Sequence, residues 1–90
     1  MRIAASSLTL ANAAEVSAAG LACLRAGDAE FDFSGVERVD SAALALILDW
    51  LRTAQAAQLD LTLKGLPPSL LELAELYGLA ELIAPHHHHA

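Results

Sequence analysis

Apolar and polar positions alternate along the chain with two different periods. Phe31 and Phe33 alternate with Glu30 and Asp32, a period of two. Leu59, Leu61 and Leu63 alternate in the same way with Asp60, Thr62 and Lys64. Successive side chains of a strand point to opposite faces, so both segments are predicted strands with one apolar and one polar face. That pattern suits a sheet covered by helices on one side and wet on the other. Leu8–Leu10 reads as a further short strand, paired with one around Ile3.

Elsewhere the period lengthens to that of a helix. Val16, Gly20, Cys23 and Leu24 share one face of a helix running to about Ala26. Asn12 is its expected N-cap, Glu15 stands three residues on as in a capping box, and Gly27 is its stop. Gly20 costs stability against Ala inside a helix, and close packing on a sheet is the expected return. Ser41–Gln58 is the longest helical segment. A third helix starts at Pro68, a residue suited to the first helical turn, and ends at Tyr77 before Gly78. Leu70, Leu73, Ala74 and Tyr77 line one of its faces. A short strand or turn around Leu82–Ile83 closes the pattern. The order predicts an α/β fold: a mixed sheet of four or five strands with about three helices packed mainly on one face. Residues 1–85 form the single expected domain. Residues 86–90, a His-rich tail that is disordered or derived from a tag, are set outside the fold.

The chain has 90 residues, enough for one modest core. Apolar residues make up 56% and aromatics 4%, so the core is aliphatic and general disorder is excluded. Five Lys and Arg stand against eleven Asp and Glu, a net charge of −6. The cations Arg2, Arg25, Arg38, Arg52 and Lys64 are scattered, which argues against nucleic-acid binding and against docking on an anionic membrane. No apolar run is long enough to span a bilayer. Met1–Ala14, with Arg2 and Ala11-Asn12-Ala13, has some features of a signal peptide. It is short, however, and interrupted by Ser6, Ser7 and Thr9, so a cytoplasmic protein is expected. Cys23 is alone, which excludes an internal disulfide and fits a small core residue.

Catalytic chemistry finds little support. All four histidines lie in the tail, so neither Cys23 nor any serine of the body has a histidine base. Asp28, Glu30 and Asp32 read as the polar face of a strand and lack other ligands for a metal. No metal, cofactor or small-molecule substrate is expected.

The informative stretch is Asp32-Phe33-Ser34-Gly35-Val36-Glu37-Arg38-Val39-Asp40-Ser41-Ala42-Ala43-Leu44, where a strand gives way to a loop and then to a helix. Asp40 or Ser41 caps that helix, and capping alone explains the pair. A hydroxyl at a helix N-terminus is also suited to a phosphate or to a partner's polar group. At about 100° per residue, Leu44, Ile47, Leu48 and Leu51 form one stripe, which is expected to face the sheet. Leu46 and Trp50 fall nearly opposite, with Ala42, Ala43, Thr53 and Ala57. That side either packs against a neighbouring helix or is exposed as a docking patch, a setting in which Trp is enriched.

With these residues in place, the chain resembles the STAS domain family, over about Leu8 to Pro85. The core of the resemblance is Asp32–Leu48, with Val39-Asp40-Ser41-Ala42-Ala43-Leu44-Ala45-Leu46 as the strand–loop–helix signature. A second block, Leu61-Thr62-Leu63-Lys64-Gly65-Leu66 followed by Leu73-Ala74-Glu75-Leu76-Tyr77-Gly78-Leu79, is similar to the MlaB type. The resemblance implies a non-enzymatic subunit that binds and stabilises the ATPase of an ABC-type phospholipid transporter in Gram-negative bacteria. Such a subunit is peripheral to the inner membrane without inserting into it. It implies a partner-binding surface of Asp40, Ser41, Ala42, Ala43, Leu46 and Trp50, on which Trp50→Glu weakens binding without unfolding the domain. The alternative is an anti-sigma-factor antagonist that acts by partner switching. Such antagonists carry a second hydroxyl after Asp-Ser as the phosphorylated position. Ala42 stands there, which leaves Ser41 as the possible phosphorylation site.

Overall fold

The computed structural model describes residues 1–88. The element order is β1 (Ser7–Leu8), α1 (Ala13–Arg25), β2 (Glu30–Asp32), β3 (Arg38–Val39), α2 (Ser41–Ala56), β4 (Thr62–Lys64), α3 (Pro68–Leu76), α4 (Ala80–Ile83), a 3₁₀ turn (Ala84–His86) and β5 (His87–His88). The strands form two ladders, β1–β3 and β2–β4–β5. Every described ladder is parallel, so the expected mixed sheet is corrected. Parallel neighbours need long crossovers, and the helices between the strands provide them. Ile3 does not pair with β1. Its amide donates to Asp32 O at 2.9 Å, which sets the N-terminal segment beside β2.

The period-two segments behave as their pattern requires. Phe31, Phe33, Leu61 and Leu63 are buried under the helices. Glu30 and Lys64 point to the other face and form an ion pair of 2.7 Å. That hydrogen bond holds the Lys64 ammonium above the usual lysine pKa. Asp32 accepts from the Ser34 amide at 2.8 Å, which keeps its carboxyl below the usual carboxylate range. The Asp28, Glu30 and Asp32 carboxylates are thus each engaged by a local donor.

The three long helices end in the same device. After α1, Gly27 N–H donates to Leu24 O and Asp28 N–H to Cys23 O. After α3, Gly78 donates to Glu75 O and Leu79 to Ala74 O. Both glycines have positive φ, as this Schellman arrangement requires. After α2 the same two bonds form from Gln58 and Leu59, with Gln58 at φ 59°. The helix therefore ends at Ala56 rather than at Gln58.

Two further expectations change. Ala80–Ile83 is a helical turn, α4, and not a strand. The tail expected to be disordered contributes β5, whose His87 and His88 pair with Leu63 and Lys64. His86 Nδ1 lies 3.0 Å from Leu61 O. Residues 89–90 lie outside the described residues. Among the described residues, no helix is long and apolar enough to cross a membrane.

Candidate interaction surface at the start of α2

Asp40 stands in extended conformation before α2, where the first helical amides lack intrahelical partners. Its Oδ1 accepts from the Ala42 amide at 2.8 Å. Its Oδ2 accepts from the Leu10 amide at 3.1 Å. One carboxylate thus caps α2 and ties the β1–α1 loop to it. Asn12 braces the same loop from within: Oδ1 accepts from Thr9 N at 3.0 Å and Nδ2 donates to Ser7 O at 2.8 Å. It makes no side-chain cap to α1, so the expected capping box is not formed. The outcome of this bracing is that Leu10 projects outward, 81% exposed.

Ser41 follows the cap and is exposed on the first turn of α2. With Leu44, Ala45 and Leu48 it forms one wall of an open depression of about 350 Å³, and Tyr77 and Leu79 form the other. Leu79 is placed there by the Schellman bond to Ala74 O that ends α3. Tyr77, expected to line the buried face of α3 with Leu70 and Ala74, is 55% exposed because the helix stops just before it.

The sequence-derived site divides in two. Asp40, Ser41 and Ala42 come together at this surface, with Asp40 and Ala42 half-buried. Ala43, Leu46 and Trp50 do not: Ala43 and Trp50 are fully buried and Leu46 is only 4% exposed. The docking patch expected on Leu46 and Trp50 is therefore corrected, because α1 covers that side of α2. Gly20 opens the space: a Cβ there would overlap the Trp50 indole. Gly20 thus packs against α2 and not against the sheet. The indole Nε1–H donates to Ser17 O at 3.2 Å. The ring meets Phe31 edge to face, with centroids 4.7 Å apart and planes at 86°, and meets Phe33 at 6.1 Å. Trp50 is the largest fully buried side chain of the core.

Sequence reasoning missed Leu10, Ala45, Tyr77 and Leu79 as surface residues. Ala45 was legible, because it lies one turn after Ser41 on the same helix face. The other three depend on loops and helix ends. Among the described residues, no group of three or more His, Cys, Asp or Glu side chains is arranged to hold a metal. The surface offers a hydroxyl, a helix start and apolar side chains, which suits it to contact and not to bond-making chemistry.

Residues 3–84 match the family model described as Mlab, STAS domain. A stretch of 55 residues is 38% identical to the intermembrane phospholipid transport system binding protein MlaB of Haemophilus influenzae. The matched stretch is 61% of this chain and 52% of that protein, so the chain spans about half the length of the relative it matches.

Proposed function

The chain belongs to the MlaB-type STAS domain family, and from that premise we propose that it is a non-enzymatic subunit of an ABC-type phospholipid transport complex, bound to the cytoplasmic ATPase. It holds that ATPase through the start of α2. The observation that carries this reading is Ser41, exposed beside an open apolar depression in a domain with no buried polar side chain among the described residues. Ser41 supplies a polar contact that fixes register. Leu48, Tyr77 and Leu79 supply apolar area, with Leu10 on the adjoining loop. Asp40 holds the loop and the helix in one geometry, so the surface is formed before a partner arrives. The subunit works at the inner membrane through the complex and does not itself enter the bilayer.

Titration of the purified chain into the purified ATPase subunit tests the reading. Saturable binding is expected. Ser41→Arg is expected to weaken it tenfold or more, because an added long cation displaces the partner from the first turn. The exposed site should leave the thermal midpoint of the chain nearly unchanged. Absence of binding by the parent chain, with phosphorylation of Ser41 by an anti-sigma kinase, would instead favour partner switching.

A further inference from the structure

Two open depressions on α2 meet at Leu48. The first is the one beside Ser41. The second, about 500 Å³, is lined by Leu48, Leu51, Leu59 and Leu82, with Arg52 and Gln55 as polar residues from α2. Together they follow α2 from Ser41 to Gln55, about 20 Å at 1.5 Å per residue. The molecule measures 29 × 25 × 22 Å, so the groove runs most of its length. Tyr77 and Leu82 line it and are each 55% exposed, although both are large and apolar.

The groove has a charge signature. None of the chain's eleven acidic residues lines either depression. Arg52 is the only lining Lys or Arg, and its nearest carboxylate, on Asp49, is 3.6 Å away and largely exposed. Such a pair is weak and free to exchange its carboxylate for another.

We propose that this whole groove, from Ser41 to Gln55, seats an amphipathic helix of the ATPase subunit that carries an acidic side chain opposite Arg52. The inference rests on the reading that the ATPase is the partner, and extends the contact well beyond Ser41. A helix suits a trough walled by side chains of α2 and of the α3–α4 region, whereas an added strand would need a free sheet edge in the trough. Apolar anchors three, four and seven residues apart on such a helix would reach Leu48, Tyr77 and Leu82 in turn. The groove is continuous with the Ser41 surface, so one partner element covers both.

The test uses the full chain and the purified ATPase subunit, with Leu82→Glu, Arg52→Glu and Arg52→Lys. Circular dichroism checks that each variant is folded. All three positions lie on the surface or at the groove rim, so folding should be retained. Leu82→Glu and Arg52→Glu are expected to weaken binding tenfold or more, while Arg52→Lys stays within about threefold. Should Ser41→Arg weaken binding while Leu82→Glu and Arg52→Glu bind as the parent does, the groove proposal falls and the ATPase reading stands. Should the parent fail to bind the ATPase at all, both fall. Self-association of the parent in sedimentation, abolished by Leu82→Glu, would assign the groove to a second copy and overturn the proposal.

Discussion

Trp50→Ala is expected to lower the stability of the domain by about 3–5 kcal/mol. The indole is fully buried, meets Phe31 and Phe33, and donates to Ser17 O. Truncation would leave a cavity bounded by α1, α2 and β2, and an unpaired carbonyl on Ser17. Small domains of this length have about 5–15 kcal/mol in total, so the variant should be partly or wholly unfolded. Each kcal/mol corresponds to about 4–8 °C of melting temperature at this size, so a folded remnant would melt more than about 10 °C below the parent. Trp50→Phe should lose much less, because an aromatic ring still meets Phe31. Urea unfolding followed by circular dichroism measures all three proteins. A Trp50→Ala variant within about 1 kcal/mol of the parent would mean that the indole is outside the core. The same burial turns around the expectation for Trp50→Glu: a carboxylate placed among Phe31, Phe33 and Gly20 unfolds the domain and says nothing of a partner.

Gly20→Ala should reverse the usual rule for helices. At an unconstrained interior position this change gains about 0.5–1 kcal/mol. Here the new methyl overlaps the Trp50 ring, so the indole must move away from Ser17 O or α1 must lift from α2. Overpacking of this kind typically costs about 1–3 kcal/mol, and the net effect should be a loss of about 2 kcal/mol. The diagnostic is the double variant. With Trp50→Leu in place, the added methyl should cost little, which gives a coupling energy of about 1–2 kcal/mol in a double-mutant cycle. Stabilisation by Gly20→Ala in the parent background would show that α1 does not rest on the indole.

These two residues also mark what was legible in the sequence. Period-two alternation identified Phe31, Phe33, Leu61 and Leu63 as the buried face, because a strand's pleat alone dictates which side chains share a side. Gly27 and Gly78 were readable stops, since their positive φ favours glycine over other residues. Gln58 takes the same left-handed conformation without a glycine, so the end of α2 carried no such mark. The helical wheel correctly joined Leu46 to Trp50. It could not say what covers that face, since periodicity reports which residues lie together and not their neighbour in space. The available signal was Gly20 within the Ala-rich α1, a small-residue socket suited to a large side chain. Leu82–Ile83 is too short for its period to separate strand from helix. The β5 pairing of His87–His88 lies in the backbone, to which a run of histidines gives no clue.

For the site, Asp40 and Ser41 were legible because the cap and the position after it are local. Leu10, Tyr77 and Leu79 were not. Leu10 reaches the surface through an Asp40 bond across 30 residues, and Leu79 through the bond that ends α3. Surfaces assembled from loop ends and helix ends have no period of their own.

Hydrogen–deuterium exchange of the chain, alone and saturated with the ATPase subunit, tests most directly that the partner docks on the outer side of α2. The account predicts added protection in residues 41–52 and 76–82, with the amides of residues 30–32 and 62–64 changed little. Protection confined to the sheet segments, with residues 41–52 and 76–82 exchanging as in the free chain, would contradict it.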